Sequence, residues 1–320
     1  MSFADILGQD TPISVLKRSL AAGRLAHAYL FEGVEGCGKK TTALALIEAV
    51  FCGKGDGCGH CPSCRKISSM QHPDMHLIEP DGAFIKIDQI RSLQKELAYR
   101  PFEAPKKACI IDGAERLNQA AGNALLKTLE EPSGNALIIL VTSQPSVVLP
   151  TILSRCQRLV FHGLPEETIT SYLISKGVEN ESAHLSASLA GGSINNALEI
   201  SKGEILSERK QLLTRLFGLS LTDIAPLFLA AEELAAEKEK AVAVLEVLMS
   251  FLRDMLLHSA GDTDMINTDL LPLLEEQGRT LSRARIMEKI EHVASTRTAL
   301  LRNVNTRLAL EVLFMRLAER

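Results

Sequence analysis

The chain has 320 residues, 46% of them hydrophobic and 23% charged, with a net charge of −4 and aromatic side chains at only 4%. That length exceeds one small core, so two or three domains are expected. The acidic balance argues against gripping DNA by bulk electrostatics, and a chain without tryptophan makes a poor base-stacking platform.

The opening Met1–Asp10 has neither a basic stretch nor an apolar one, so no secretory signal is expected, and with it a cytoplasmic location where thiols stay reduced. The longest apolar run, Ala136–Val141, has strand length and falls far short of the ~20 residues of a membrane helix. Asp10-Thr11-Pro12 signals a helix start and Gly23 its end. Ala28–Glu32 reads as a short buried strand, followed by a glycine-rich loop and an apolar helix over Thr41–Phe51. Strand-length apolar runs recur at 75–79, 108–112, 137–142 and 158–161, with helical patterns at about 88–98, 118–130 and 149–155 between them. Strands alternating with helices predict an α/β domain whose parallel sheet is covered on both faces.

After Gly163-Leu164-Pro165 only helical spacing remains. A short helical block reaches about Lys202, and a Leu- and Ala-rich one occupies about 205–320. Its final stretch, Leu300–Leu317, is amphipathic through Leu308, Leu310, Val312, Leu313, Phe314 and Leu317. A helical-bundle core is the expectation, with part of that apolar surface available for subunit packing. The expected domains are therefore 1–163, 164–204 and 205–320.

The stretch Gly33-Val-Glu-Gly-Cys-Gly-Lys-Lys-Thr-Thr42 nearly spells a phosphate-binding loop. Gly33, Gly36 and Gly38 let backbone N–H groups face phosphates at a helix start, and Lys39 stands where the phosphate lysine belongs. The next position needs a hydroxyl for Mg²⁺. Lys40 offers only donors and repels a cation, while Thr41 is turned about 100° away on a helix. The strand ending at Asp112 carries one acid where a pair is usual, since Gly113 follows and Glu115 falls in the next turn. Both departures strike the metal-and-water side of the chemistry, so impaired or absent hydrolysis is expected, with nucleotide occupancy left open.

Cys52, Cys58, Cys61 and Cys64 have the spacing C-x5-C-x2-C-x2-C, with glycines 53, 55, 57 and 59 between them. Four thiolates in a reduced compartment point to a structural Zn²⁺, since four sulfur ligands leave no open position for catalysis. His60, His72 and His76 lie nearby but are surplus to that shell, and Cys37, Cys109 and Cys156 read as ordinary packed thiols.

A phosphate loop, a four-cysteine insertion, His72-Pro73-Asp74, the run from Ile110 to Gly134 and "LPTILSRCQRL" at 149–159 together resemble a bacterial clamp-loader subunit of the AAA+ class. Among the subunits of the DNA polymerase III loader, the departures make it more similar to the delta-prime type than to the hydrolysing gamma/tau type. The resemblance implies an AAA+ P-loop domain with a zinc insertion, a small helical lid and an all-α collar. It implies partners too: gamma/tau ATPases and a delta subunit in a hetero-pentamer that sets a sliding clamp on primed DNA. It implies that Arg155, in Ser154-Arg155-Cys156, reaches a neighbour's ATP as an arginine finger; from the residues alone, a helix-end salt bridge is the simpler reading. Thr142 matches the first nucleotide-sensing position, and Asn195-Asn196 stand where hydrolysing relatives carry a sensing arginine.

Arg91, Lys95, Arg100, Lys106 and Lys107 read as a solvated face, with DNA phosphates in an assembled ring as the alternative. Two competing functions stand beside the leading one. The first is a working gamma/tau-like ATPase in which Thr41 or Asp112 salvages the metal site. The second is a zinc-dependent DNA-binding module, which the net charge disfavours.

Overall fold

A computed structural model gives the fold of residues 2–55, 57–130, 136–262, 265–302 and 304–319. The chain divides into two compact units, residues 1–172 with 191–196, and residues 173–190 with 197–320.

The first unit alternates as the apolar runs require. Its elements run α1 (Asp10–Ala21), β1 (Ala28–Gly33), α2 (Lys39–Phe51), α3 (Pro62–Ser68), β2 (Met75–Ile78), α4 (Ile87–Ala98), β3 (Lys107–Asp112), α5 (Gln119–Glu130), β4 (Ala136–Thr142), α6 (Pro150–Leu153) and β5 (Gln157–Phe161). The five strands form one parallel sheet in the order β2-β3-β4-β1-β5. Leu30 pairs with Leu140, Ile110 with Ile139 and Phe31 with Leu159.

Side chains alternate between the sheet's two faces. Tyr29, Phe31, Ile110, Ile139 and Phe161 pack with Leu16, Leu46, Ile47 and Ile67 of α1, α2 and α3. Leu30, Ile111, Ile138 and Leu140 pack on the other face with Ile90, Leu93, Leu125 and Ile152 of α4, α5 and α6. Every residue of β4 is buried, which is why this strand reads as an unbroken apolar run. Because β4 lies between β1 and β3, the carboxyl ends of all three deliver their following residues to one place, where open α/β sheets bind ligands.

From there on the described structure is helical: α7 (Glu166–Ser175), α8 (Asn180–Leu189), α9 (Ile194–Ile200), α10 (Glu204–Phe217), α11 (Ala225–Ala235), α12 (Lys238–Ala260), α13 (Leu271–Gly278), α14 (Arg283–Leu301) and α15 (Thr306–Ala318). The second unit's core gathers Leu213, Leu245, Leu248, Phe251, Ile286, Leu310 and Phe314. Lys289 is buried in it, and its ammonium donates to the carbonyls of Arg316, Leu317 and Glu319 at the end of α15. The amphipathic stretch Leu300–Leu317 is shared between two helices. α14 stops at Leu301, and Asn305 caps a new helix by accepting from the Leu308 N–H. Leu310, Leu313 and Phe314 are buried, whereas Leu308 and Val312 are exposed. No helix among the described residues is long and apolar enough to cross a membrane.

Candidate functional site

The phosphate loop spans the turn from β1 to α2. Gly36 has φ +74°, and a Cβ there would meet Ser193 Oγ at 2.0 Å, so only glycine fits. Gly33 is equally tight, since its Cβ would lie 2.0 Å from the carbonyl oxygen of Phe161. Gln9 ties the loop down in a way that the sequence did not signal. Its buried amide donates to the carbonyls of Cys37 and His162 and accepts from the His162 N–H. The turn at 191–193 closes against the same region, with the Leu164 N–H donating to the Gly192 carbonyl.

Lys39 opens α2 and is 6% exposed. Its ammonium donates to the carbonyls of Gly33 (2.7 Å) and Val34 (2.6 Å). Burial draws its pKa below the usual lysine value, a shift that nearby Cys37, Glu115, Glu35 and Asp112 oppose. Lys40 points to the strand ends instead. Its ammonium lies 2.6 Å from Glu79 Oε1 and 3.1 Å from Asp112 Oδ2. Desolvation works against that charge, but the bonds to Glu79 and Asp112 prevail and raise its pKa. The residue out of place in the motif thus pairs with both carboxylates at the strand ends beside the loop. Thr41 lines the 460 Å³ cavity in front of the loop together with Asn195, and Thr42 is turned inward to donate to the Gly38 carbonyl.

Glu115 does fall in a turn, the short 3₁₀ segment Ala114–Arg116, yet its carboxylate reaches the site. It accepts from the Thr142 hydroxyl (2.7 Å) and the Ser143 hydroxyl (2.8 Å). Burial opposes its ionisation, and these bonds outweigh burial and hold it below the usual glutamate range. A second cavity, of 430 Å³, runs past Lys39, Asp112, Glu115 and Thr142. Asn196 is exposed, its N–H donating to Ser193 Oγ.

Cys52 ends α2, and Cys61 caps α3, its sulfur accepting from the Cys64 N–H. The four Sγ atoms of Cys52, Cys58, Cys61 and Cys64 lie within 4.8 Å of one another. The Cys52–Cys61 separation is 4.0 Å, and all seven cysteines are free thiols. A tetrahedral zinc–thiolate site with bonds of about 2.3 Å requires sulfurs about 3.8 Å apart, so the donor set fits such an ion. Asp56, inside this loop, lies outside the described residues. His60 carries its own contacts, with Lys54 and Arg65.

His72 and Asp74 belong to the framework. The His72 ring packs tilted against Phe51 with centroids 4.8 Å apart and faces Glu103. The carboxylate of Asp74, wholly buried, accepts from the N–H groups of Phe102, Glu103 and Ala104. That clamp leaves Phe102 84% exposed at the protein surface. His76 is half-buried, and desolvation lowers its pKa.

Arg155 follows α6. Its guanidinium donates to the Thr151 carbonyl and Ser154 Oγ and pairs with Glu130 at 2.6 Å. Glu131 to Gly134, the tail of the long central motif, lie outside the described residues. Among the basic residues, Lys107 departs from the solvated-face expectation. As the first residue of β3 it is buried, with Glu96 3.8 Å from its ammonium, because strand position overrides its charge. Arg91, Lys95 and Arg100 are exposed and Lys106 is half-buried.

The profile of the DNA polymerase III delta subunit matches residues 8–165, and that of its C-terminal region matches 204–319. The DNA polymerase III subunit delta' of Bacillus subtilis is 34% identical over 318 residues, covering 97% of this chain and 96% of that protein. The chain belongs to the family of DNA polymerase III delta-prime subunits. A gamma/tau chain matches over less of its length: subunit gamma/tau of Mycobacterium bovis is 34% identical across 73% of this chain and 43% of its own. A gamma-subunit-related protein of Thermotoga maritima with a solved structure is 22% identical, covers 97% of this chain and 99% of its own, and superposes with a TM-score of 0.49.

Proposed function

We propose that the chain is a non-hydrolysing clamp-loader subunit of a bacterial DNA polymerase III holoenzyme. The observation that carries this is the Lys40 ammonium seated on Glu79 and Asp112, where metal-assisted phosphoryl transfer needs a cation. In this reading the chain joins gamma/tau ATPases and a delta subunit in a cytoplasmic hetero-pentamer that sets a sliding clamp on primed DNA. Residues 1–163 form the AAA+ domain, 164–204 the lid and 205–320 the collar that packs in the ring. Cys52, Cys58, Cys61 and Cys64 hold a structural zinc that pins the start of α3 to the end of α2.

Arg155 acts in trans on a neighbour's γ-phosphate, where a guanidinium offsets developing charge. Its exposed pairing with Glu130 is the resting arrangement, worth about 0–1 kcal/mol, so docking against a phosphate chain displaces it readily. A reconstituted loader carrying Arg155→Ala should lose DNA-stimulated ATP turnover by about tenfold or more. Turnover equal to that of the unaltered loader would refute the finger. The chain by itself, given ATP and Mg²⁺, should release no phosphate; steady release abolished by Lys39→Ala would establish a working ATPase instead.

A further inference from the structure

A groove of about 1080 Å³ runs beside the cysteine loop, wholly within the first unit and away from the phosphate loop. Phe3, Leu20 and Val50 form an apolar floor that packs on the core of α1, α2 and the sheet. Three lysines from separate segments line it: Lys17 on α1, Lys54 in the cysteine loop and Lys106 just before β3. The Lys17 ammonium lies 5.8 Å from the centroid of the Phe3 ring, and Lys54 contacts His60. Lys40, Lys66 and Lys86 each hold a carboxylate at 2.6–2.7 Å. Among the described residues, Lys17, Lys54 and Lys106 hold none, and no acidic side chain lines the groove. In a chain with a net charge of −4, three such ammoniums around one apolar floor select for an anion.

Volume and chemistry decide the kind of anion. The groove reaches past the range of about 300–1,000 Å³ typical of small-molecule sites, and exposed Lys17, Ala21 and Lys54 leave its rim open. Phe3 is only 7% exposed, so a nucleic-acid base finds no aromatic face to stack on. No arginine among the described residues lines the groove to grip a phosphate with two parallel donors. An aliphatic floor between ammoniums fits instead a polypeptide that alternates carboxylates with apolar side chains. Cys52 and Cys58 close one end, and Lys54 belongs to their loop, so its charge is shared with the zinc centre proposed above. Lys17 and Lys106 stand outside that loop.

We propose that this groove docks an acidic, leucine-bearing segment of a partner protein. Lys17 and Lys106, with Lys54 beside them, take its carboxylates, and the floor of Phe3, Leu20 and Val50 takes its apolar side chains.

Fluorescence anisotropy of the full chain with a labelled peptide of alternating glutamate and leucine tests this. A lysine–leucine peptide, a glutamate-only peptide and a single-stranded oligonucleotide run beside it. The glutamate–leucine peptide should bind at least about tenfold more tightly than either other peptide. Lys17→Glu with Lys106→Glu should weaken it by about tenfold or more. Ala21→Glu, at an exposed position on the rim, sets a carboxylate in the groove without altering a lysine or the core, and should weaken it by about fivefold or more. Circular-dichroism melts that match the unaltered chain show that both altered chains fold. No binding of the glutamate–leucine peptide, or an unchanged Kd in both altered chains, would overturn the proposal. A glutamate-only peptide binding as tightly would overturn the role of the apolar floor. Oligonucleotide binding that falls in Lys17→Glu with Lys106→Glu while peptide binding holds would overturn the assignment to a protein partner.

Discussion

Replacing Asp74 by alanine removes one side chain and strands three backbone donors. Its carboxylate is wholly buried and accepts from the N–H groups of Phe102 (2.7 Å), Glu103 (2.8 Å) and Ala104 (2.9 Å). Hydrogen bonds to a charged group contribute about 1.5–3 kcal/mol each, and three that share one carboxylate are not additive. Some of the freed N–H groups rehydrate because Phe102 and Glu103 are exposed, so a net loss of about 3–5 kcal/mol is expected. For a unit of this size, each kcal/mol moves the melting temperature by about 2–4 °C, which gives a fall of roughly 6–20 °C by circular dichroism.

The pH dependence adds a second check. Burial pushes the Asp74 carboxyl up, and the three N–H donors outweigh it and hold the group below its ordinary value. A depressed carboxylate contributes stability above its unfolded pKa of about 3.9 and loses it as pH falls through the folded value. The gap between unaltered protein and Asp74→Ala should therefore be full at pH 7 and shrink below about pH 4. A shift under about 2 °C at pH 7 would refute the clamp.

Cys58→Ser with Cys61→Ser should lower the metal content from about one zinc per chain to none by atomic absorption; undiminished zinc would place the ion elsewhere. Glu130→Gln should change stability by less than about 1 kcal/mol, because the pair with Arg155 is exposed, and should leave loader turnover equal or raise it by up to about fivefold; a fall would mean that Glu130 supports the arginine rather than competing for it. Lys289→Met should destabilise the second unit by about 2–4 kcal/mol in urea melts, since three carbonyls at the end of α15 lose their donor. A loss under about 0.5 kcal/mol would show those carbonyls to be hydrated already.

The sheet was legible in the sequence because each buried strand is a short apolar run and the intervening segments keep a helical period, as Ala136–Thr142 and Ile87–Ala98 illustrate. The phosphate loop was legible for the same reason: glycine spacing encodes a backbone shape. Contacts between distant segments were not. Lys40 looked like a defect and Asp112 like an acid without its usual neighbour, and only the adjacency of the strand ends makes the two partners. Gln9 gives no local signal for the loop and strand it joins, and Asp74 was visible in a motif without the loop that it clamps. The break before α15 did have a signal, Asn305 before Thr306, but it competed with an uninterrupted apolar pattern.

Lys40 and Arg155 are held in different ways, and the difference bears on where the chain acts. Lys40 faces two carboxylates, so withdrawing it would leave Glu79 and Asp112 together with no counter-charge. Arg155 faces one carboxylate, and the rest of its bonds go to neutral oxygens of Thr151 and Ser154. A phosphate chain carries more negative charge than Glu130 and offers bidentate geometry to a guanidinium, so it competes well for Arg155. The same ligand gains little by competing for Lys40, because the two carboxylates beside it repel the phosphates. Under the proposed reading this asymmetry keeps the chain's own site static while leaving its arginine available to the subunit next to it.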